Sequence, residues 1–176
     1  MDMVIREAKK EDLQEVMLFF DMMCKELGKQ DFLPEGNKGG FPPEDMVVSA
    51  IDGRELYVGE TDGIIMAAYI MNHTADEAYE NVRWQKDLPK EQVVVLHALR
   101  VSPEYSGKGY ATRLVEHAIE TAKQKGNKAI RLDCIEGNYV PHKMYGSLGF
   151  KYIDTVEILY EDIGVPRKFL LFEKNV

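Results

Sequence analysis

The residues with the clearest chemical potential lie in the stretch Ser106-Gly107-Lys108-Gly109-Tyr110-Ala111-Thr112. From Ala111 onward the apolar residues recur every three or four positions, which predicts a helix from about residue 108 to Gly126. The first N–H groups of a helix have no partner within it and carry partial positive charge. Because glycine lets a ligand approach the backbone closely, this stretch predicts a cradle for a phosphate or pyrophosphate.

Lys108 and Arg113 would add mobile positive charge to this cradle. Other phosphate-binding patterns fit the sequence less well. A Walker motif requires Gly-x-x-x-x-Gly-Lys-Ser/Thr, which no stretch of the chain supplies. The dinucleotide fingerprint requires a third glycine at the position where Thr112 stands. These mismatches argue against a mononucleotide-binding protein, and the alternative of an ordinary glycine turn stays open.

The elements that would position this cradle follow the predicted order β-α-α-β-β-β-α-β-α-β-β. An opening strand precedes an amphipathic helix that ends near Gly28, and a second short helix follows Pro43. Asp62-Gly63 separates two apolar runs and predicts an antiparallel hairpin. The run VVVLHALRV from residue 93 is nearly continuous in apolar residues, so we expect a central strand buried on both faces. The order indicates an α/β fold with a mixed sheet and helices on its faces.

Length and composition restrict the class of protein. The 176 residues, with 45% hydrophobic and 30% charged side chains, suit a single globular domain over residues 1–176. No run of about 18 apolar residues and no signal peptide are present, so we expect no membrane partner. Cys24 and Cys134 form no disulfide framework and show no metal-ligand spacing. We therefore expect a cytoplasmic protein with no metal.

The charge is distributed unevenly along the chain. Residues 93–151 carry nine basic and five acidic side chains, although the whole chain has a net charge of −8. This excess of positive charge predicts an anionic ligand near the middle segment, while an ordinary solvated surface remains the alternative. No dense basic or basic-aromatic stripe is present, so we expect no nucleic-acid partner.

The middle segment resembles the GNAT N-acetyltransferases, whose phosphate loop reads Gln/Arg-x-x-Gly-x-Gly/Ala. Here that register runs from Ser106 to Ala111, after the similar lead-in LHALRVSPEY. Downstream, NYVPHKMYGSLGF is similar to the family's block Asn-x-x-Ala-x-x-x-Tyr-x-x-x-Gly-Phe and matches it at Asn138, Tyr145, Gly149 and Phe150. Ser106 departs from the usual Gln or Arg and removes one contact to phosphate. Pro141 replaces the common Ala and fits a helix start.

The resemblance implies the fold, the cofactor and the reaction. The fold would be a mixed, mostly antiparallel central sheet of about six or seven strands flanked by about four helices. The co-substrate would be acetyl-CoA, and the reaction would transfer its acetyl group to a primary amine of a small molecule or peptide. The residues implied in cofactor binding are Leu99, Arg100, Val101, Ser106, Gly107, Lys108, Gly109, Tyr110, Ala111, Thr112, Asn138 and Tyr145.

The resemblance also implies two catalytic residues. Tyr145 matches the family's tyrosine, and its phenol could donate a proton to the leaving thiolate; a core tyrosine packed beside Phe150 is the alternative. His97 matches a histidine in the arylalkylamine branch, within the similar string LHAL, and could act as the base. If no bulge intervenes, strand alternation places His97 on the same side as Leu99. A buried structural histidine is the alternative to this role. His73, at the end of the hairpin's second strand, could line the acceptor cleft.

The acceptor site is expected in the variable segments, residues 28–45 and 74–92. These segments contain Phe32, Phe41, Tyr79 and Trp84 among the acidic residues Asp76, Glu77, Glu80 and Asp87. Aromatic rings with carboxylates suit a cationic amine, although a surface loop could have the same composition. A non-catalytic acyl-CoA-binding sensor or partner module is the alternative function. The identity of the acceptor, the length of the acyl group and the oligomeric state, with a homodimer as one alternative, stay open.

Overall fold

The computed structural model describes residues 2–176, which form one seven-stranded sheet in the order β1-β2-β3-β4-β5-β7-β6. Only β4 and β5 pair in parallel, and all other neighbours are antiparallel. The predicted order of elements and the predicted mixed α/β fold are confirmed. The elements are β1 (Val4–Glu7), α1 (Leu13–Leu27), α2 (Glu44–Asp52), β2 (Leu56–Thr61), β3 (Ile64–Asn72), β4 (Val93–Val101), α3 (Tyr110–Gln124), β5 (Ala129–Ile135), α4 (Tyr139–Ser147), β6 (Lys151–Ile158) and β7 (Arg167–Asn175).

Helices cover both faces of the sheet. On one face, α3 packs its apolar stripe against β3, β4 and β5, and Tyr145 of α4 joins the same cluster. On the other face, α1 and α2 pack against β2 and β3 through a second cluster. These faces are called the α3 face and the α1/α2 face below. Among residues 2–176, no helix combines the length and the apolar character needed to cross a membrane.

The predicted hairpin between β2 and β3 is confirmed, and its turn shows why the sequence marked it clearly. Asp62 and Gly63 have φ angles of 55° and 77°. Positive φ at both central residues matches the twist of the two strands, and Asp-Gly tolerates it. The hairpin fixes the register of β3, and β4 pairs with the other edge of β3.

Strand β4 is buried on both faces only in its first half, which corrects the expectation of full burial. Its first four residues, from Val93 to Leu96, are buried, whereas those from His97 to Val101 are partly accessible. The cause lies in the neighbouring strand. Pairing with β5 ends at Val95 opposite Arg131, and the two strands then separate. The apolar composition of β4 gave no sign of this separation, because the sequence does not reveal where a partner strand diverges.

A bulge at Ala98 interrupts β4, so the expected alternation of side chains is wrong. Ile70 of β3 pairs with His97, but Ala68 pairs with Arg100, which leaves one extra residue in β4. Ala98 has a φ of 51°, a conformation that non-glycine residues rarely adopt. His97 therefore lies on the α1/α2 face, whereas Leu99 packs into the cluster of the α3 face.

The segment between β3 and β4 crosses the sheet without regular secondary structure, apart from two short 3-10 turns. Glu173 of β7 is fully buried, pairs with Arg131 at 2.7 Å and accepts a 2.9 Å hydrogen bond from the backbone N–H of Gln85. The Arg131 guanidinium also lies 4.1 Å from the ring centroid of Trp84. These contacts fasten the segment to β5 and β7.

Candidate active site

The glycine-rich stretch from Ser106 to Thr112, called the anion loop below, forms a tight turn that leads directly into α3. Gly107 and Gly109 have φ angles of 73° and 78°, and α3 begins at Tyr110 with Gly109 as its N-cap. A Cβ at either glycine would meet no atom within 4 Å among residues 2–176, so the space in front of the loop is open. Glycine has no side chain with which to cap the helix. The geometry therefore suits an anion at the positive end of the α3 dipole.

The two cationic side chains expected at this loop differ in whether they are already paired within the chain. Arg113 bonds to the carboxylate of Asp2 and donates a 2.9 Å hydrogen bond to the carbonyl oxygen of Met3. The expectation that Arg113 is mobile is therefore wrong, because its charge is already paired. Lys108 lies 5.3 Å from the ring centroid of Tyr105 and forms no ion pair within the described chain. Lys108 is thus the cation at this loop that remains available for a ligand.

The separation of β4 and β5 opens a gap through the sheet beside this loop. Six residues of β4 and four of β5 lie beyond the last pair, Val95 and Arg131. The backbone polar groups that face this gap lack a strand partner there, and an extended ligand could pair with them. Leu99 and Val101 point to the α3 face. Arg100 lies opposite Ala68, so its side chain points to the α1/α2 face, away from the anion loop. Only the main chain of Arg100 can contact a ligand that lies on the α3 face.

Tyr145 lies on the same face as Leu99, in the cluster formed with α3. It is buried, and its ring packs against Phe150 and Phe172 at centroid distances of 5.4 and 6.4 Å. Burial raises the pKa of Tyr145 well above that of a free phenol, so the hydroxyl stays protonated at neutral pH. The expected packing beside Phe150 is present, and it leaves the phenol available as a proton donor.

Asn138 occupies the N-cap position of α4, but its side chain makes no capping hydrogen bond. No other hydrogen bond within residues 2–176 involves this amide group. The side chain of an N-cap asparagine usually accepts a hydrogen bond from an N–H group in the first turn of the helix. The uncommitted amide of Asn138 is therefore available to a ligand at the end of β5.

His97 is held in one orientation by Asn72. The Asn72 Oδ1 atom accepts a 3.0 Å bond from the backbone N–H of Thr74 and lies 2.9 Å from His97 Nε2. Because Oδ1 is an acceptor, Nε2 must carry the hydrogen, which leaves Nδ1 with a lone pair. Burial lowers the pKa of His97 to about 4, against a smaller opposing effect of the Thr74 backbone. At neutral pH this imidazole is uncharged.

His73, which was expected to line the acceptor cleft, lies away from the gap. His73 is exposed, and its Nδ1 atom lies 2.7 Å from the carbonyl oxygen of Val93. It borders a cleft of about 420 Å³ between β4 and the segment from residue 75 to 90. This cleft contains Tyr79 and Trp84, as expected of the acceptor region, but its acidic and basic side chains are mixed. The lining charges are Asp76, Glu80, Arg83, Lys86, Asp87, Lys90 and Arg131.

Sequence reasoning missed one group at the gap, Asp133. The hydroxyls of Tyr79 and Tyr160 donate hydrogen bonds of 2.7 and 2.8 Å to its Oδ2 atom. In the run AIRLDCI, Asp133 alternates with apolar residues, a pattern typical of the solvent side of a strand. The signal that could have identified it, two distant tyrosines converging on one carboxylate, exists only in the folded chain.

Comparison with known proteins agrees with this geometry. The family model described as Acetyltransferase (GNAT) family matches residues 23–150. The N-acetyltransferase YesJ of Bacillus subtilis is 25% identical over 130 residues, covering 74% of this chain and 66% of YesJ. Across its curated relatives, the chain spans between 25% and 66% of their length.

Solved structures share the fold over almost the whole chain. A GNAT acetyltransferase from Streptococcus agalactiae has a TM-score of 0.77 at 21% identity, covering 99% of this chain and 95% of its own. The acetyltransferase yncA from Salmonella typhimurium, solved with acetyl-CoA, has a TM-score of 0.71 at 15% identity, covering 99% and 94%. The family match spans the anion loop, the gap and Tyr145, and the chain belongs to the GNAT acetyltransferase family.

Proposed function

We propose that this protein transfers an acetyl group from acetyl-CoA to a primary amine of a small molecule or peptide. The observation that carries the proposal is the gap between β4 and β5, which opens beside the uncapped N-terminus of α3. One ligand could then place its phosphates on the loop and extend its arm along β4. The gap gives a second ligand access to the end of that arm from the α1/α2 face.

The residues present fit acetyl-CoA, which supplies an activated acetyl group and a thiolate leaving group. The loop from Ser106 to Thr112 would hold the pyrophosphate through backbone N–H groups, assisted by Lys108. The main chain of residues 99–101 would pair with the arm, and the free amide of Asn138 would contact it from α4. Ser106 offers a hydroxyl where the family usually carries a longer side chain.

Tyr145 would act on the leaving group. When the amine nitrogen attacks the thioester carbon and the C–S bond breaks, the sulfur leaves as a thiolate with a pKa of about 8.5. Tyr145 lies on the α3 face with Leu99 and would donate its phenolic proton to this sulfur. The proton lost from the acceptor nitrogen balances the one gained by the thiol, so no other reactant is needed.

His97 would receive a proton from the acceptor nitrogen, directly or through water, but late in the reaction. A primary ammonium has a pKa of about 10.4, so transfer to a histidine with a pKa of about 4 costs about 9 kcal/mol. Loss of that proton to solvent at pH 7 costs only about 4.6 kcal/mol. The amine therefore binds neutral or loses its first proton elsewhere, and His97 serves the more acidic nitrogen of the tetrahedral adduct.

The pH dependence of kcat/KM should report the acceptor and not His97. Since His97 is already neutral above about pH 4, kcat/KM should rise with pH up to the pKa of the acceptor's ammonium. With an acceptor of lower pKa, the rising limb of this pH profile should shift down by the difference between the two acceptor pKa values. His97→Gln should lower the rate by up to about 100-fold and leave the limb in place. His73→Gln is the control, and a limb near pH 6.5 that disappears in His97→Gln would contradict the proposal.

The function itself can be tested by measuring thiol release from acetyl-CoA against a panel of alkylamines, arylalkylamines, amino acids and peptides. We expect at least one primary amine to release free CoA in equal amount to the amide formed. A separate titration of CoA into the protein should show binding in the absence of acceptor. CoA binding without acyl transfer to any amine would instead support a non-catalytic acyl-CoA-binding module.

A further inference from the structure

Asp133 stands at the mouth of the gap, on the side opposite the anion loop. The last paired residues of β4 and β5 are Val95 and Arg131, and two residues further along come His97 and Asp133. Asp133 pairs with Leu171 of β7, whose side chain belongs to the same apolar cluster as Val95. His97 and Asp133 therefore border the gap from its two strands, both on the α1/α2 face.

Only one of the two oxygens of the Asp133 carboxylate accepts hydrogen bonds from the described residues. Both phenols bond to Oδ2, and no hydrogen bond from residues 2–176 reaches Oδ1. The side chain lies deep in the protein, yet it retains some accessible surface. Oδ1 is therefore the carboxylate oxygen left to bond with a ligand that enters the gap.

Burial raises the pKa of the Asp133 carboxyl, and no ion pair within residues 2–176 compensates its charge. Tyr79 and Tyr160 are neutral donors, and burial raises the pKa of both phenols. Arg100 is the cation that acts on Asp133 from β4, but it forms no ion pair within the described residues and donates to the carbonyl oxygen of Leu99 at 2.9 Å. Asp76 adds a second negative charge nearby. A buried carboxylate that forms no ion pair with its nearest cation is costly, and a cationic ligand would reduce that cost.

The surroundings of Asp133 are aromatic and apolar. The ring of Tyr160 lies 5.0 Å from that of Phe169 and 5.8 Å from that of Phe41. Leu33 and Ile135 are buried in the same cluster as Tyr79. Such walls favour an organic cation with an apolar body, because aromatic faces attract cations and apolar surface leaves water.

We propose that Asp133, oriented by Tyr79 and Tyr160, binds the ammonium group of the acceptor, and that the acceptor is a cationic amine with an apolar body. This inference rests on the function proposed above, and it assigns the acceptor subsite to the α1/α2 face. Asp133 holds the amine at the mouth of the gap before deprotonation, and Tyr79 and Tyr160 act as positioning residues.

The binding experiment uses two probes of nearly the same shape, phenethylamine and 2-phenylethanol, titrated into the CoA-bound protein at pH 7. The amine is an ammonium at this pH and the alcohol is neutral. We expect the amine to bind at least tenfold more tightly than the alcohol to the unaltered protein. In Asp133→Asn the two affinities should become equal, because the amide keeps the shape of the carboxylate and loses the charge.

A second measurement separates recognition from a structural role. Asp133→Asn should raise the acceptor KM at least tenfold while leaving the affinity for CoA within twofold, and its melting temperature should be unchanged or higher. Removal of an uncompensated buried charge favours the folded state, whereas removal of a structural carboxylate would lower the melting temperature. Tyr79→Phe with Tyr160→Phe should raise KM without abolishing the preference for the amine.

The outcomes distinguish this inference from the proposed function. Equal binding of amine and alcohol to the unaltered protein, or an unchanged acceptor KM in Asp133→Asn, would overturn the role of Asp133 even if acetyl transfer occurs. A lower melting temperature with unchanged KM would assign the carboxylate to the fold. Conversely, charge-dependent amine binding without any acetyl transfer would retain the subsite and reject the transferase.

Discussion

Replacing Gly109 with aspartate is expected to weaken CoA binding by about 10- to 1,000-fold. Two like charges about 4 Å apart near a protein surface repel by roughly 1 to 4 kcal/mol, and this substitution places a carboxylate where the pyrophosphate would lie. Gly109 also has a φ of 78°, which a side chain adopts only with strain. Isothermal titration of CoA into the purified variant measures the effect.

Gly126 provides a matched control for this substitution. It also has a φ of 78°, and a Cβ there would likewise meet no atom within 4 Å among the described residues, but it lies beyond the opposite end of α3. Gly126→Asp therefore carries a comparable backbone cost and the same charge without approaching the loop. We expect it to bind CoA as the unaltered protein does. Equal affinities for CoA in Gly109→Asp and Gly126→Asp would remove the loop from the binding site.

Tyr145→Phe should lower kcat by about 10²- to 10⁴-fold and leave the affinity for CoA unchanged. The range is that of general acid catalysis by a single positioned group. The ring contacts with Phe150 and Phe172 do not depend on the hydroxyl, so the variant should fold normally. Steady-state kinetics at saturating acceptor, together with a CoA titration, separates the loss of proton donation from a loss of binding.

Tyr152→Phe controls for the loss of a phenol in the same aromatic group. Its ring lies 6.1 Å from that of Phe172, and its hydroxyl is 2.8 Å from Oγ1 of Thr155 on the exposed strand β6. This variant should retain full kcat. If Tyr145→Phe also retains full kcat, Tyr145 has a packing role and another donor protonates the thiolate.

Local signals in the sequence were sufficient for the order of elements. The Asp62-Gly63 turn, the glycines around Lys108 and the apolar stripe of α3 each depend on residues close together in the chain, and the structure contains all three. The bulge at Ala98 could not be predicted, because alanine is not a residue that marks positive φ and its conformation follows from the pairing with β3. Asp133 was missed for a related reason: its partners Tyr79 and Tyr160 lie 54 and 27 residues away.

The single extra residue at Ala98 lets one strand serve two selective pressures. Because the bulge places His97 and Ala98 on the α1/α2 face and returns Leu99 to the α3 face, substitutions at the first two positions alter what approaches from one side and leave the other undisturbed. A lineage could then change its acceptor by drift at these positions while its cofactor contacts stay intact. Deletion of residue 98 would make His97 and Leu99 neighbours in a regularly alternating strand and keep them on opposite faces, so it should remove one position from the α1/α2 face and leave Leu99 on the α3 face.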